Sequence, residues 1–377
     1  RMIGKRKQLS KQECSKWRSN MKYPLLLCFS FLLVKSFSQS IDLKERTFYL
    51  GDFVLESGFK LPNAFIKYAT YGSLNKDSSN AILLPSSYSS DYNGYNFLIG
   101  KDKSLDTSKY FLILPELFAN GHSSSPSNTP APFHGPNFPI TTIRDNVLAE
   151  FQLISKQFKI KKLKSVIGFS MGAQQAFQWA ISYPKVVESI VAFCGTAKTY
   201  PHGYVRLESA ISCIEADSDW DYGNYSSPPL KGLKSWALHW ASWFLSQDWF
   251  RLEKFKELGF ETFQKFIQAR IDKEKVIDAN DRISQARTWE SHDISNDSLY
   301  MGDIEKVLTA IQCNTLYMPS ESDLYFPVSE AQYEKKFIPK VRFLPIPSVW
   351  GHLAGAGLNQ KDNDFLNLNI KSFLDIL

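Results

Sequence analysis

The chain has 377 residues, of which 44% are hydrophobic and 22% charged, the composition of a globular protein with a large buried core. The formal net charge is +6, but the first 20 residues hold seven lysines and arginines against one glutamate, so the remainder sums to zero. A basic face that would bind nucleic acid is therefore not expected. No spacing of histidine, cysteine and carboxylate side chains indicates a metal, and no glycine-rich phosphate loop indicates a cofactor.

Residues 1–40 have the character of a leader. A short basic start at Met21 is followed by the apolar run Pro24 to Val34 and by a tail of small residues. This order is typical of a secretory signal peptide, and the apolar run is too short for a stable membrane span. We therefore predict a signal peptide from Met21 to about Ser38 and a secreted product, with a cytoplasmic location as the alternative.

Two stretches of the chain alternate strand-like and helix-like segments, from about 80 to 195 and again from 310 to 377. Such alternation is typical of a mostly parallel sheet flanked by helices. The intervening segment has a helical pattern and holds six of the nine tryptophans, which either pack this segment onto the core or line an apolar pocket. We predict an α/β core formed by residues 41–199 and 306–377, with a helical lid at 200–305.

The most informative motif is Gly168-Phe169-Ser170-Met171-Gly172, which matches the pattern G-x-S-x-G. It follows an apolar, strand-like run at 163–167 and precedes a helical pattern at 173–183. A sharp turn from strand to helix exposes the serine hydroxyl, and the glycines are needed because a side chain at either place would clash across the turn. Ser170 is the candidate nucleophile; an ordinary glycine-rich turn is the alternative.

Two later loops hold candidate partners for this serine. Asp323 follows the strand-like segment 316–319, and His352 follows the apolar run 341–346. The order serine, acid, histidine is that of the α/β-hydrolases. A serine hydroxyl is a poor nucleophile at neutral pH, so His352 would take its proton while Asp323 holds the imidazole in the productive tautomer. Glu321 is the rival acid.

Attack of a serine on an acyl carbon produces an oxyanion, which two backbone N–H groups would stabilise. One is expected from Met171, the residue after the nucleophile. The other is expected from the loop after the strand Ala81 to Leu84. In that loop we favour Ser87, with its neighbours Ser86 and Tyr88 as alternatives.

Several motifs taken together resemble one family. They are Thr142 to Asn146, the elbow with Gln174-Gln175-Ala176, Thr199 to His202, Asp323 to Pro327, Trp350-Gly351-His352, and Arg287 to Ser295. Over roughly residues 45–377 the chain is similar to the homoserine O-acetyltransferase group of α/β-hydrolases, and Arg287 to Ser295 is most similar to its esterase-like members. The resemblance implies an α/β-hydrolase fold with a helical lid and the triad Ser170, Asp323 and His352. A small ester or acyl donor would be the substrate, acetyl-CoA a possible co-substrate, and a homodimer a possible assembly.

Two positions depart from the transferases. Those enzymes clamp the carboxylate of homoserine with an arginine on a lid helix and meet its ammonium group with an aspartate after the histidine. Here Ala237 and Leu353 stand at those places, and Lys234 or His239 is a weak substitute for a bidentate arginine. We therefore expect hydrolysis of short-chain or small esters. An acyl-CoA-dependent O-acyltransferase is the alternative, and a non-catalytic binding protein with the same fold is the second alternative.

Overall fold

The computed structural model describes residues 44–377. The predicted leader and signal peptide lie outside the described residues, so both stay predictions. Within residues 44–377, no helix has the length and apolar character needed to cross a membrane.

A mixed sheet of eight strands forms the centre of the described chain. The strands are β1 (Lys44–Val54), β2 (Lys60–Tyr71), β3 (Ala81–Leu83), β4 (Phe111–Pro115), β5 (Ser165–Phe169), β6 (Ser189–Phe193), β7 (Asn314–Met318) and β8 (Val341–Phe343). Their spatial order is β1-β2-β4-β3-β5-β6-β7-β8. The β1–β2 and β2–β4 pairs are antiparallel and all later pairs are parallel, so the mostly parallel sheet predicted from the sequence is confirmed.

Helices cover this sheet. Among the described residues they are α1 (Ile143–Gln152), α2 (Met171–Ser182), α3 (Pro201–Glu215), α4 (Leu230–Trp243), α5 (Gln247–Arg251), α6 (Phe263–Glu274), α7 (Ala279–Glu290), α8 (Ile304–Thr309), α9 (Val328–Glu334) and α10 (Gln360–Leu374). Every residue of β6, which is parallel to both of its neighbours, is buried, as expected for a parallel strand with helices on both faces. The helices α3 to α7 lie between β6 and β7, inside the segment for which a helical lid was predicted. The exact extent of a lid domain stays a prediction.

The last strand is shorter than its apolar sequence suggests. The predicted run 341–346 forms a regular ladder only as far as Phe343. Pro345 has no N–H group to donate to a ladder, so regular pairing cannot continue through it. Ile346 regains one isolated parallel bridge with Ser320, which keeps the loops after β7 and β8 side by side. These are the loops that carry Asp323 and His352.

Candidate active site

Ser170 lies in a strained turn between β5 and α2. Its backbone angles are φ 57° and ψ −122°, a conformation that residues other than glycine rarely adopt. A Cβ atom on Gly168 would collide with the backbone of Gly172, and one on Gly172 would lie 2.7 Å from the carbonyl oxygen of Pro85 and the hydroxyl of Tyr95. The two glycines of the motif therefore permit the close approach that the turn requires.

The three predicted side chains form one hydrogen-bonded chain. Nε2 of His352 lies 2.9 Å from Oγ of Ser170, and Nδ1 lies 2.8 Å from Oδ2 of Asp323. All three residues are buried, with 3–4% of their surface exposed. Because Nδ1 donates to the carboxylate, Nε2 is left to accept the hydroxyl proton of Ser170. The arrangement can act as a nucleophile with its general base and the group that orients that base.

The carboxylate of Asp323 is held on both oxygens. Oδ1 accepts hydrogen bonds from the backbone N–H groups of Tyr325, at 2.7 Å, and Phe326, at 3.2 Å, while Oδ2 faces His352. Glu321, the rival acid, is exposed on the same loop, and among the described residues its side chain makes no hydrogen bond. The structure thus places Asp323, and not Glu321, against the imidazole.

The segment between β6 and β7 holds the histidine loop in place. The backbone N–H of His352 donates to the carbonyl oxygen of Phe244, just after α4, at 3.0 Å. The hydroxyl of Ser246 donates to the carbonyl oxygen of Val349. These bonds tie the position of the imidazole to the segment between β6 and β7, the helical insertion, so a shift of this segment would also move the general base.

Aromatic rings enclose the imidazole of His352. The ring of Phe169 lies 4.9 Å away in a stacked arrangement, and the ring of Tyr325 lies at 4.6 Å, both measured between centroids. These contacts restrict rotation of the imidazole and keep bulk water away from its hydrogen bonds.

Backbone hydrogen bonds of the loop after β3 exclude one of its three candidate oxyanion donors. The N–H of Ser86 is engaged, because it donates to the carbonyl oxygen of Pro115 at 3.0 Å. Within the described part of the chain, the N–H groups of Met171, Ser87 and Tyr88 donate to no protein acceptor. Gln175 on α2 donates to the carbonyl oxygen of Ser86 at 2.9 Å and so anchors this loop beside the elbow. The assignment of Met171 and Ser87 to an oxyanion hole stays a prediction.

A cavity of about 120 Å³ opens beside Ser170 and His352. Its walls are mainly aromatic, formed by Tyr88, Phe169, Trp236, Trp240, Phe244, Trp289 and Tyr325 together with Leu353. Trp240 stacks on Trp289 with their centroids 5.7 Å apart, whereas Trp249 packs against Trp350 on the histidine loop. Both interpretations of the tryptophans are thus correct for different residues: some line a pocket and others pack the insertion onto the core.

Two charged side chains that were not predicted from the sequence line this cavity. Arg270 and Glu274, both on α6, line it. Lys234 and His239, considered as substitutes for the missing arginine, do not line it: Lys234 is exposed, and His239 lies near Ser209. The cation that lines the cavity is thus Arg270, which comes from another helix than Lys234 and His239.

Comparison with known proteins places this geometry in a family. Residues 89–354 match the family model described as alpha/beta hydrolase fold. The chain belongs to this family. It is 35% identical over 329 residues to an ethyl acetate hydrolase of Pseudomonas veronii, covering 86% of this chain and 94% of that protein.

Members of the family with two activities are similar to the chain. An acetylester hydrolase from Corynebacterium glutamicum has a solved structure with a TM-score of 0.85 and 31% identity, covering 88% of this chain and 96% of that one. A homoserine O-acetyltransferase of Chloroherpeton thalassium is 30% identical over 312 residues, covering 79% of this chain and 81% of that protein. The predicted resemblance to α/β-hydrolases with esterase and acetyltransferase members is therefore confirmed.

Proposed function

We propose that this protein is a serine esterase that hydrolyses small esters through an acyl-enzyme on Ser170. The observation that carries the proposal is the continuous chain of hydrogen bonds from Asp323 through His352 to Ser170, which ends at an aromatic cavity. Similarity to an ethyl acetate hydrolase and to an acetylester hydrolase supports the same reaction. A binding protein without catalysis would have no need for the strained turn at Ser170.

The geometry supports acylation in the following order. Oγ of Ser170 attacks the ester carbonyl carbon while Nε2 of His352 takes the hydroxyl proton. The resulting oxyanion accepts hydrogen bonds from the N–H groups of Met171 and Ser87. The C–O bond to the alcohol then breaks, and the imidazolium gives its proton to the departing oxygen. Asp323 stabilises the imidazolium throughout.

In deacylation water is the nucleophile and Ser170 is the leaving group. A water molecule loses a proton to Nε2 of His352 and attacks the acyl carbon. The bond from that carbon to Oγ of Ser170 breaks, and the serine recovers its proton from the imidazolium. The products are a carboxylic acid and the alcohol released in the first step, and no cofactor enters the balance.

The size of the cavity favours short acyl groups. An apolar cavity of about 150 Å³ in another protein holds one benzene molecule, so a cavity of about 120 Å³ is suited to small substrates. Its walls include Trp236 and Trp289, each about 1% exposed, which are packed against neighbours and cannot easily yield.

We expect kcat/KM to fall at least about tenfold between p-nitrophenyl acetate and p-nitrophenyl octanoate, because a longer acyl chain must displace packed side chains of the cavity wall, and forcing extra methylenes into a well-packed space costs about 1–3 kcal/mol. Initial rates below the solubility limit of both esters measure this. Equal or rising kcat/KM with chain length would contradict the small-ester proposal.

Acyl transfer to an alcohol is the second candidate, because water and alcohols compete for the same acyl-enzyme and a homoserine O-acetyltransferase is similar to the chain. Homoserine itself fits the site poorly. Leu353, next to His352, offers nothing to an ammonium group, and the carboxylate of Glu274 already faces the guanidinium of Arg282 at 2.9 Å.

We expect acetylation of homoserine by acetyl-CoA to be slower than hydrolysis of a short ester at matched concentrations, by at least about a hundredfold, because an ammonium group left without a partner in the cavity costs several kcal/mol. Direct competition followed by mass spectrometry of the products tests this. Leu353→Asp restores an acidic side chain and should shift the ratio toward homoserine. Faster acetylation of homoserine by the wild type would contradict the expectation.

A further inference from the structure

One helix presents two opposite charges to an otherwise aromatic cavity. Arg270 and Glu274 lie one turn apart on α6 and both line the space beside Ser170. Residues four apart on a helix face can pair with each other, although an arginine that precedes a glutamate is the less favourable order. In the structure the two side chains do not pair with each other, because Glu274 pairs with a residue of another helix.

Glu274 is neutralised by a residue outside α6. Its Oε2 accepts a hydrogen bond from Nε of Arg282, on α7, at 2.9 Å, and both side chains are only 6% exposed. A buried, hydrogen-bonded ion pair of this kind is costly to break, because removing one partner leaves an uncompensated charge. Glu274 is therefore committed to Arg282 and is a poor partner for a ligand.

Arg270 has no such partner in the described part of the chain. Among residues 44–377, no carboxylate lies within ion-pair distance of its guanidinium, and its Nε is buried without a hydrogen-bond acceptor. The guanidinium instead lies over the ring of Phe244, 4.8 Å from the centroid. A buried donor without an acceptor is costly, so the site gains from a ligand that supplies one.

Nearby charges add to the positive potential around Arg270. Lys273 lies on the same helix, and its pKa is lowered by burial first and then by the charge of Arg270. On the far side, burial raises the pKa of Tyr325 well above its usual range, and the charges of Arg206 and Arg270 oppose that rise. Because Arg282 neutralises Glu274, Arg270 remains as an uncompensated positive charge in the cavity wall. This charge acts on Tyr325, whose ring packs on His352.

We propose that Arg270 binds a carboxylate of the substrate, so that the preferred substrates are monoanionic esters, such as acetyl esters of short hydroxy acids. This inference rests on the proposed esterase function and names its substrate class. A carboxylate is planar and accepts two parallel N–H donors of a guanidinium, which suits a narrow space between aromatic rings. A zwitterion gains less, because the only carboxylate that lines this cavity in the described structure is already paired with Arg282.

The substrate carboxylate that Arg270 binds is unchanged by the reaction. For 4-acetoxybutanoate, the bond between the acetyl carbon and the hydroxy-acid oxygen breaks while the bond to Oγ of Ser170 forms, and the departing oxygen takes the proton from His352. Water then releases acetate. The carboxylate held by Arg270 takes no part in bond making, so Arg270 is a specificity-determining residue.

The test compares two esters of nearly equal shape, 4-acetoxybutanoate and its neutral amide 4-acetoxybutanamide, by kcat/KM. Wild type should prefer the anionic ester by about tenfold to a hundredfold, the value of hydrogen bonds to a charged group. Arg270→Gln should remove most of that preference through KM, and Arg270→Lys should keep part of it. Arg251→Gln, which removes an exposed charge paired with Asp248 on α5, is the control and should keep the wild-type ratio.

The possible results separate the two proposals. If no ester is hydrolysed, the proposed function fails. If p-nitrophenyl acetate is hydrolysed but the anionic ester is not preferred, or if Arg270→Gln keeps the wild-type ratio, the inference about Arg270 is overturned and the esterase proposal stands. Circular dichroism of each variant monitors folding, and if Arg270→Gln does not fold, the ratio measured for Arg270→Lys decides: an unchanged ratio overturns the inference.

Discussion

Ser170→Ala should abolish ester hydrolysis, lowering kcat by about a million-fold, the loss seen when a triad serine is removed. Alanine keeps the Cβ atom and the same strained turn, so the fold should persist and the loss should be chemical. Turnover of p-nitrophenyl acetate measures the rate, and thermal unfolding measures the stability.

A serine elsewhere on the insertion supplies the control for this experiment. Ser235 is exposed on α4, away from the triad, so Ser235→Ala should keep the wild-type rate. A Ser170→Ala enzyme that retains activity within about tenfold of wild type would refute the assignment of the nucleophile, given the loss expected for a triad serine.

Asp323→Asn should lower kcat by about ten-thousand-fold, because the amide favours the wrong tautomer of the histidine. The structure explains the direction. The N–H groups of Tyr325 and Phe326 require an oxygen at the position of Oδ1, so the amide NH₂ group must face Nδ1 of His352. Nδ1 then has to accept, Nε2 carries the proton, and Ser170 loses its base.

Glu321→Gln is the matched change on the same loop. Because Glu321 is exposed and lies outside the hydrogen-bonded chain, the effect should be within about threefold, in keeping with surface substitutions of less than about 0.5 kcal/mol. Steady-state kinetics of the two variants with one ester give the ranking. The reverse ranking would show that Glu321 orients the imidazole.

The sequence was informative where chemistry restricts residue type locally. The turn at Ser170 needs glycines at 168 and 172, and this requirement can be recognised without knowing the rest of the structure. Asp323 and His352 could be predicted because each follows an apolar, strand-like run of the sequence, and the ends of parallel strands meet at one edge of a sheet. The sheet and the three side chains could therefore be predicted before the structure.

Other features left a weaker signal. The hairpin of β1 and β2 lies ahead of the segment in which alternation was recognised. Its clearest trace is the period of two in the middle of β2, where Ala64, Ile66 and Tyr68 are buried. An oxyanion hole depends on backbone N–H groups, which every residue except proline has, so Ser87 could not be separated from Tyr88 by residue type.

Arg270 could not be predicted from its neighbours in the chain. The helix α6 is mostly polar and exposed, and its sequence does not distinguish the arginine that lines a cavity from an exposed cation such as Lys265. Its place depends on how α6 packs beside Phe244 and on the pairing of Glu274 with Arg282, both of which are tertiary contacts.

The central claim is that Ser170 carries the acyl group between two half-reactions, and mass spectrometry of the acyl-enzyme tests it most directly. The enzyme is mixed with p-nitrophenyl acetate, quenched in acid within the first turnovers and digested. We predict one acetyl group on the peptide that contains Ser170, absent from the Ser170→Ala variant. Release of p-nitrophenol with the acetyl group on another residue, or with no acetylated peptide at any quench time, would contradict the account.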